Sequence, residues 1–461
     1  MEQHIPGIVL KDGLTQPVFD YKRCLFEKVY VETPVDTDGD GRLDLIAVYI
    51  RRPLETTQGM RVPAIYVANP YMLECNEDWY VPHDVDRDVS PYPQQHITES
   101  DITFDPSTVS FPQPRYPRAT VGYADTAPTE EIPLDCISDW YSYFNSRGYA
   151  SVFCGGLGTR GSQGFNCCGS PEETAAFKAV IDWLNGRCRA FTNLTDNIEI
   201  RADWCTGKVA MSGKSYLGTM CIAVASTGVE GLETIIPEAA ISNWYDYYRC
   251  NGLNLPAIGW QGDDLDILAK YCFSRAKDPE DYASVREAYA AWLEGIAADE
   301  DRDSGNYSRW WDMRNYLKAA DRFKASVFLV HGLADWNVKP THCVNLFAAM
   351  ESRGIPCKMM LHQGGHIYIH DLQGSRFNEM LHLWLDHWLY GIENGAAERI
   401  PNVLVQSNLD QDLWLASPSF PAVKGYTEPV LMPAQASGRL VDDLSATVYD
   451  RTRDNAAEWL A

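Results

Sequence analysis

A serine follows an apolar segment of this sequence in a pattern that suits nucleophilic catalysis. Residues 208–218 read Lys-Val-Ala-Met-Ser-Gly-Lys-Ser-Tyr-Leu-Gly, which predicts a strand, a sharp Gly-x-Ser turn at Ser215 and then a helix. A nucleophilic serine needs such a turn, and the free N–H groups of the following helix can stabilise an oxyanion. The second glycine of the common Gly-x-Ser-x-Gly pattern is displaced, because Leu217 holds its position and Gly218 follows. Taken alone, the segment also fits an ordinary strand-to-helix turn.

An acid and a histidine come later in the sequence, each after an apolar segment. Asp335 ends the stretch Val-Phe-Leu-Val-His-Gly-Leu-Ala-Asp, and His366 follows Met-Leu-His-Gln-Gly-Gly. A serine hydroxyl is a weak nucleophile until a histidine accepts its proton, and an acid fixes the tautomer of that histidine and stabilises its cation. The order Ser215, Asp335, His366 is that of the α/β-hydrolase fold. The three residues together predict a serine hydrolase, with Ser215 as nucleophile, Asp335 as orienting acid and His366 as base.

Two other interpretations of these segments fail on a required residue. A phosphate-binding P-loop would end at 213–215, but its first glycine would stand where the sequence has Lys208. His362, His366 and His370 recur every four residues, as on a metal-binding helix, but two glycines interrupt them and no glutamate accompanies them. The sequence therefore predicts neither a metal ion nor another cofactor.

Two further motifs favour turns over ligand binding. Residues 156–161, Gly-Leu-Gly-Thr-Arg-Gly, match a dinucleotide-binding pattern, but their place in mid-chain favours a tight loop beside the active site. Asp36, Asp38 and Asp40 begin like a calcium-binding EF-hand loop, but Ala47 stands where a bidentate glutamate is required. A hairpin turn is the favoured interpretation there, and weak calcium binding is the alternative.

The elements that must position these residues follow from the periodicity of the apolar residues. Apolar segments that predict strands lie at 26–33, 43–50, 62–68, 149–154, 208–211, 234–242, 325–330 and 358–362. Helical spacing is typical of residues 171–185, 217–226, 264–276, 279–298, 340–352 and 376–390. Strands that alternate with helices predict an α/β fold with a mostly parallel sheet flanked by helices.

The composition predicts four parts along the chain. Residues 1–249 form the first part of the α/β-hydrolase core and include a Pro-, Asp- and Thr-rich surface loop at 71–135. Residues 250–320 are charged and helical in spacing, which predicts an inserted helical cap. Residues 321–395 complete the core. Residues 396–461 are rich in proline and valine and predict the start of a C-terminal, jelly-roll-like β region, too short for a complete sandwich, so we expect a truncated chain.

The charge and cysteine content restrict the partners and the compartment. The 461 residues carry a net charge of −24, which excludes nucleic acid and anionic membranes as partners. Neither a secretory signal nor an apolar stretch of about 18 residues is found. Thirteen cysteines without a Cys-x-x-Cys pair favour reduced thiols. We therefore expect a cytoplasmic protein, with a homodimer among the assemblies open to it.

Five segments of the sequence resemble one family of serine hydrolases. They are Val-Glu-Thr-Pro-Val-Asp-Thr-Asp-Gly-Asp-Gly at 31–41, Gly-Thr-Arg-Gly-Ser-Gln-Gly at 158–164, Gly-Lys-Ser-Tyr-Leu-Gly at 213–218, Asn-Trp-Tyr-Asp-Tyr-Tyr-Arg at 243–249 and His-Gly-Leu-Ala-Asp-Trp-Asn-Val-Lys-Pro at 331–340. The resemblance is to the Xaa-Pro dipeptidyl peptidases, whose family also contains the cocaine-esterase-like enzymes, and it covers about residues 17–395. It accounts for the displaced glycine, because Gly-x-Ser-Tyr-x-Gly is the form of the elbow in that family.

The resemblance implies an oxyanion hole and a wall for the substrate's proline. Asn69-Pro70-Tyr71 matches the family segment whose tyrosine hydroxyl donates to the oxyanion, so Tyr71 is expected to be one donor. The backbone N–H of Tyr216 is expected to be the other. Trp244 and Tyr247 are similar to the aromatic residues that form the proline pocket, although aromatic side chains of the core would fit the same pattern.

The resemblance also implies an anchor for a free amino group. Asn337 resembles the family's ligand for the substrate's α-ammonium. Asp263 stands where a glutamate of a Gly-Glu-Asp-Leu-Asp segment usually holds that ammonium, one methylene short. Family members often carry an N-terminal helical domain and a complete C-terminal β-sandwich, and this sequence matches neither in full.

These observations predict a serine exopeptidase that releases Xaa-Pro dipeptides from peptide N-termini through an acyl-enzyme. Its expected partners are peptide substrates with a free N-terminus and proline at the second position. Two alternatives stay open. One is an esterase or amidase with the same triad, and the other is a catalytically silent binding module.

Overall fold

A mixed β-sheet with helices on both faces forms the core of the computed structural model, which describes residues 5–76, 97–131, 139–250, 252–256, 263–372 and 374–421. Met1–Phe420 form one compact unit, to which all the elements below belong. The strands are β1 (Leu10–Lys11), β2 (Leu14–Thr15), β3 (Leu25–Glu32), β4 (Leu45–Arg52), β5 (Val62–Ala68), β6 (Gly122–Ala124), β7 (Ala150–Cys154), β8 (Ala190–Phe191), β9 (Ile198–Ile200), β10 (Cys205–Lys214), β11 (Leu232–Glu238), β12 (Arg249–Cys250), β13 (Leu253–Asn254), β14 (Ser326–Gly332), β15 (Cys357–His362), β16 (Val403–Gln406) and β17 (Trp414–Ser417). The helices are α1 (Asp139–Asn145), α2 (Pro171–Leu184), α3 (Tyr216–Ala225), α4 (Trp244–Tyr248), α5 (Leu265–Cys272), α6 (Pro279–Asp299), α7 (Arg309–Asp312), α8 (Thr341–Glu351), α9 (Phe377–Tyr390) and α10 (Ala396–Arg399).

Thirteen of the described strands pair side by side in one sheet. Their order is β17-β16-β15-β14-β11-β10-β5-β7-β4-β3-β8-β9-β6. The strands from β16 to β7 in that order are all parallel to their neighbours. Antiparallel pairs flank this run, at β16–β17 on one side and at β7–β4 and β4–β3 on the other. Because the carboxyl ends of parallel strands meet at one edge, the loops after β5, β10, β14 and β15 lie close together.

The central strand β10 is buried on both faces. Val209 and Met211 belong to the cluster that packs against α2, α3 and α8, whereas Ala210 belongs to the cluster against α1 and α9. Apolar residues on both faces are expected of parallel strands that are covered by helices on both sides. This burial fixes the register of β10, and with it the position of the turn that follows.

The elements predicted from periodicity are confirmed to within a few residues, including the strand at 62–68 and the helix that follows Ser215. The largest error in an end point is at 234–242, where the strand ends at Glu238. The segment 250–320 contains α5, α6 and α7, and its role as a cap stays a prediction. Of the surface loop at 71–135, residues 77–96 and 132–135 lie outside the described part of the chain.

The structure differs from the sequence analysis at the start of 396–461. The strand β16 pairs in parallel with β15, through Met359↔Val403 and Leu361↔Val405, and β17 pairs with β16. These strands therefore extend the central sheet, and a separate β region after them stays a prediction. The helices α9 and α10 connect β15 to β16, and β16 is a strand of only four residues, too short to give a clear periodic signal in a segment rich in proline and valine. Residues 422–461 lie outside the described residues.

Two glycines around Ser215 allow α3 to lie directly on the sheet. A Cβ atom on Gly218 would be 2.6 Å from the Gly213 carbonyl oxygen and 3.0 Å from that of Glu238. A Cβ on Gly213 would be 2.5 Å from Leu217 Cβ. The close approach needs a glycine one turn into the helix, at position 218, which explains the displaced glycine of the motif.

We expect Gly218→Ala to lower the free energy of unfolding by about 1–3 kcal/mol, because the added methyl group overlaps backbone atoms that cannot move independently. Gly295→Ala is the matched control, since Gly295 is exposed in α6 with no atom within 4 Å of an added Cβ. The control should gain about 0.5–1 kcal/mol from the higher helix propensity of alanine. Denaturant unfolding of both variants measures the difference, and an unchanged stability of Gly218→Ala would contradict the packing described above.

Candidate active site

Ser215 occupies a strained turn between β10 and α3. Its backbone has φ 63° and ψ −127°, a conformation that residues other than glycine rarely adopt. The Ser215 N–H donates to the Glu238 carbonyl at 2.8 Å, and its carbonyl accepts from the Thr219 N–H at 2.8 Å and from the Thr219 hydroxyl at 2.9 Å. Strain of this kind persists only where surrounding contacts hold it. The turn therefore has the backbone conformation expected of the nucleophile elbow that the sequence predicts.

Asp335 and His366 form the acid–base pair of the predicted triad. The His366 Nδ1–H donates to Asp335 Oδ2 at 2.7 Å, while Asp335 Oδ1 accepts the N–H groups of Asn337 and Val338 at 2.9 Å each. The Asp335 side chain has no exposed surface, whereas that of His366 is 21% exposed. The buried acid thus fixes the tautomer of the imidazole, whose other face can be reached by a substrate.

The loops after β10, β14 and β15 bring the three residues to one edge of the sheet. The Leu333 N–H donates to the His362 carbonyl at 2.7 Å, which links the acid loop to the end of β15. Lys214 lies immediately before the nucleophile, and its Nζ donates to the His366 carbonyl at 3.3 Å. No hydrogen bond joins the Ser215 hydroxyl to His366 in this structure. Catalytic hydrogen bonds often tighten only when substrate is bound.

Two other histidines, His331 and His362, are buried near Asp335. Burial lowers the pKa of His331, whose Nε2–H donates to the Val338 carbonyl at 2.8 Å. Burial lowers the pKa of His362 to about 4, and its Nδ1 accepts the Gly364 N–H at 3.1 Å. Both imidazoles are therefore neutral at pH 7. His370, the third member of the four-residue pattern, is exposed.

Tyr71 follows β5 and contacts the residue after the nucleophile. The rings of Tyr71 and Tyr216 meet edge to face, with centroids 5.8 Å apart and an interplanar angle of 81°. Burial raises the pKa of Tyr71 well above its ordinary value, so its hydroxyl stays protonated and can donate. That hydroxyl forms no hydrogen bond with any described residue. The Tyr216 N–H belongs to the first turn of α3, where no carbonyl one turn earlier can accept it.

Trp244 and Tyr247 differ in their access to the site. Trp244 is fully buried, packs edge to face on Tyr216 at 5.1 Å, and donates its indole N–H to the Tyr316 hydroxyl at 3.0 Å. Trp244 therefore supports the site from behind Tyr216 and does not present its own surface to a substrate. Tyr247 keeps a small exposed fraction and donates its hydroxyl to Asn337 Oδ1 at 2.6 Å.

Asp263 and Asn337, the expected amine anchor, both lie around Tyr247. Burial raises the pKa of Tyr247, and the nearby charges of Asp263 and Asp335 raise it further. Asn337 accepts from the Tyr247 hydroxyl and is itself half-buried. The Lys339 Nζ donates to the Asn337 carbonyl at 3.2 Å and lies 5.5 Å from the centre of the Tyr247 ring. Asn337 thus contacts Tyr247 directly, and the charge of Asp263 acts on the same tyrosine.

The glycine-rich and aspartate-rich motifs form turns. Gly158 donates to the Gln163 carbonyl at 3.0 Å within the loop after β7. In the hairpin between β3 and β4, oxygens of Asp36, Asp38 and Asp40 lie within 4.8 Å of one another. Arg275 donates to Asp38 at 2.9 Å, which offsets part of this negative charge. Their contacts with neighbouring N–H groups and with Arg275 suit a hairpin turn.

Sequence reasoning missed two residues next to the elbow. Lys214 was weighed only as part of a phosphate-binding loop, and its contact with the histidine loop gave no sequence signal. Glu173, in the first turn of α2, accepts the Tyr216 hydroxyl at 2.8 Å on both of its oxygens. A glutamate near a helix N-terminus is common on surfaces, so nothing marked this one as buried.

Comparison with known proteins agrees with this geometry. The chain is 44% identical to an Xaa-Pro dipeptidyl-peptidase from Pediococcus pentosaceus and 45% identical to one from Lactiplantibacillus plantarum; each alignment covers 87% of this chain and 49% of the relative. The chain thus spans about half the length of these relatives. A solved α-amino acid ester hydrolase shares the α/β-hydrolase fold, with a TM-score of 0.50 and 19% identity over 86% of this chain and 59% of that one.

Among the described residues, no helix is both long enough and apolar enough to cross a membrane. The model of the X-Pro dipeptidyl-peptidase (S15) family matches residues 38–368, which include the elbow, the acid and the histidine. A match over most of the chain, together with a serine, an aspartate and a histidine that follow strands at one edge of the sheet, establishes the relationship: this chain belongs to the X-Pro dipeptidyl-peptidase (S15) family.

Proposed function

We propose that this chain is a serine exopeptidase that releases Xaa-Pro dipeptides from the N-termini of peptides. The observation that carries the proposal is the 2.7 Å contact between His366 and the buried Asp335, at the same sheet edge as the strained turn at Ser215. Membership of the family and the names of its relatives support the choice of substrate.

The reaction follows from the roles of these three residues. Ser215 Oγ attacks the carbonyl carbon of the substrate's proline, and His366 accepts the hydroxyl proton. The C–N bond then breaks, His366 gives this proton to the leaving amine, and an acyl-enzyme remains. A water molecule attacks the ester in the same way, releases the dipeptide and restores the serine. Asp335 keeps its charge throughout and stabilises the imidazolium.

Two donors are available for the negative charge on the substrate oxygen. The Tyr216 N–H is fixed by the helix, and the Tyr71 hydroxyl has no described acceptor of its own. Donors held in place before the reaction stabilise the transition state more than the bound substrate. Tyr71 and Tyr216 therefore form the oxyanion hole of the proposed enzyme.

The restriction to free N-termini is assigned to Asp263 and Asn337. An α-ammonium that enters a pocket needs a carboxylate and neutral acceptors close by. Asp263 supplies the charge. Asn337 Oδ1 accepts one hydrogen bond from Tyr247 and keeps a second lone pair for the ammonium. Tyr247 forms part of the wall next to the anchor, and Trp244 braces that wall from inside.

The proposed enzyme acts in the cytoplasm, and a homodimer is among the assemblies open to it. The twelve cysteines in the described part of the chain are all unpaired, in keeping with the reduced thiols that the composition favours.

The nucleophile can be tested with Ser215→Ala. We expect kcat on Gly-Pro-p-nitroanilide to fall by about 10⁴- to 10⁶-fold, because no other group can form the acyl-enzyme. A fluorophosphonate probe should label the parent on Ser215 and leave the variant unlabelled. Activity of the variant within tenfold of the parent would disprove the assignment, and a parent that neither turns over nor reacts would favour a binding module.

Tyr71→Phe removes only the hydroxyl of the proposed oxyanion donor. We expect kcat to fall by about 10²- to 10³-fold with little change in KM, since the bond is made mainly in the transition state. Tyr123→Phe is the matched control, because Tyr123 is exposed on β6 and far along the sheet from the site. Steady-state kinetics with acylation rate-limiting give the comparison, and an unchanged kcat would remove Tyr71 from the mechanism.

Asp263→Asn and Asn337→Ala test the amine anchor. Loss of one partner of a buried charge contact costs about 2–5 kcal/mol, so we expect kcat/KM on Gly-Pro-p-nitroanilide to fall by about 30-fold or more. An acetate ester, which has no ammonium, should be spared. Asp12→Asn, an exposed position on the β1–β2 turn, serves as the control substitution. Equal losses on both substrates would show that these residues only support the fold, and the esterase interpretation would then lead.

A further inference from the structure

The carboxylate of Glu173 is buried directly beneath the nucleophile elbow. It is 1% exposed and accepts the Tyr216 hydroxyl at 2.8 Å on each oxygen. The backbone N–H of Gly169 donates to its Oε2 at 2.5 Å, and Asn166 Nδ2 donates to its Oε1 at 3.3 Å. Every polar partner is a donor, so the contacts match the ionised form of the carboxylate.

Burying a carboxylate of this kind costs folding free energy, and packing alone does not explain why a glutamate occupies the position. Charge that leaves water loses its hydration unless hydrogen bonds or counter-charges replace it. Among the described residues, no lysine or arginine forms an ion pair with Glu173. The Arg314 guanidinium acts on it only at longer range. An apolar side chain could pack between α2 and α3 at a lower cost in folding free energy. The hydrogen-bonded partners of the carboxylate must therefore explain why a glutamate is present.

What Glu173 holds is the residue that supplies half of the oxyanion hole. The Tyr216 N–H is one proposed donor, and the ring of Tyr216 is the surface on which Tyr71, the other donor, packs at 5.8 Å. Trp244 also packs on the Tyr216 ring, with centroids 5.1 Å apart. A shift of the Tyr216 side chain would therefore disturb both donors together.

We propose that Glu173 is a positioning residue, which fixes the Tyr216 hydroxyl and so holds both donors of the oxyanion hole in place. The inference rests on the proposed function only for the identity of those donors, and it does not depend on whether the substrate is a peptide or an ester. Glu173 does not touch the reacting atoms. We expect Glu173 to stabilise the transition state more than the bound substrate, because a displaced oxyanion donor weakens mainly the hydrogen bond that forms in the transition state.

The loop before α2 ties Glu173 to the aromatic layer by a second path. Gly169 donates to Glu173 through its N–H and accepts the Tyr316 hydroxyl at 2.8 Å through its carbonyl. The Tyr316 hydroxyl in turn accepts the indole N–H of Trp244 at 3.0 Å. Two paths therefore lead from the carboxylate to Tyr216. One is the direct hydrogen bond from the Tyr216 hydroxyl. The other runs through hydrogen bonds to Gly169, Tyr316 and Trp244, whose ring packs on that of Tyr216.

The environment of Glu173 adds a dependence on pH. Burial raises the pKa of Glu173 to about 7, against the hydrogen bonds from Gly169 and Tyr216 and the charge of Arg314, which lower it. The titratable groups that face it from the surrounding elements are Tyr216, Arg314, Tyr316, Cys167, Cys168 and Cys272.

Because the folded pKa lies above that of an unfolded glutamate, the proton is bound more tightly in the folded state. The ionised form therefore lowers stability as pH rises from about 4.3 to 7. Above pH 7 the carboxylate accepts from Tyr216, and below it the added proton competes with that contact. Full activity thus requires the form that is less favourable for folding.

The test compares Glu173→Gln and Tyr216→Phe with the control Glu172→Gln, a half-buried neighbour in the same turn. Both substrates, Gly-Pro-p-nitroanilide and p-nitrophenyl acetate, are assayed, with the active fraction counted by fluorophosphonate labelling. We expect either variant to lower kcat about tenfold or more on both substrates, with KM within about twofold. The double variant should lose little more than either single one, because both remove the same contact. The control should match the parent.

The pH profile separates positioning from a general structural role. In the parent, log kcat/KM should fall by about one unit more than in Glu173→Gln as the pH drops through about 7, because protonation of Glu173 weakens the contact that holds Tyr216. In Glu173→Gln this extra fall should be absent. An equal acid-side profile in the parent and in Glu173→Gln, a kcat of both variants within twofold of the control, or a rise in KM without a fall in kcat would each overturn the proposal.

The choice of substrates and variants distinguishes failure of the proposed dipeptidase function from failure of the proposed role of Glu173. A parent that hydrolyses the ester but not the anilide would contradict the dipeptidase, while the comparison on the ester would still decide the role of Glu173. If Glu173→Gln does not fold, Tyr216→Phe, which keeps the carboxylate and removes only the hydroxyl, decides alone. Melting curves of each variant establish that the folded protein is compared.

Discussion

The strained turn at Ser215 is the constraint on which the rest of the site depends. A residue with a positive φ between a strand and a helix is held there by the close packing of α3 on β10 and β11, which only glycine at 213 and 218 allows. That packing puts the nucleophile at the edge of the sheet and aims the first N–H of the helix at the same point. The acid, the base and the tyrosines all converge on a position that this turn defines.

Much of the fold, and the positions of the three residues of the proposed triad, could be predicted from the sequence because the signals are local. Each of Ser215, Asp335 and His366 follows a strand of buried apolar residues, and the strands of a parallel run end at one edge. The order of the three residues along the chain then fixed their roles. The displaced glycine, which looked like a departure from the motif, is explained by the 2.6 Å approach of Gly218 to the strand.

The sequence could not reveal features that depend on burial or on distant pairing. Trp244 was expected at the surface of a pocket, but its ring is buried behind Tyr216, because aromatic residues look alike in sequence whichever side of a wall they occupy. Glu173 gave no signal, since a glutamate in a first helical turn usually faces solvent. The strand β16 was assigned to a separate region because its partner, β15, lies about 40 residues earlier and only the pairing shows the connection.

The spacing of the site along the chain has a consequence for refolding. Ser215, Asp335 and His366 meet only when β10, β11, β14 and β15 have all paired, across about 150 residues and several crossover helices. Parallel pairings between distant segments form slowly, because closing long loops costs conformational entropy before the contacts between the strands can stabilise the fold. Helical signal in circular dichroism should thus recover well before reactivity toward an active-site probe. Reactivity of the site therefore reports that these four strands have all paired.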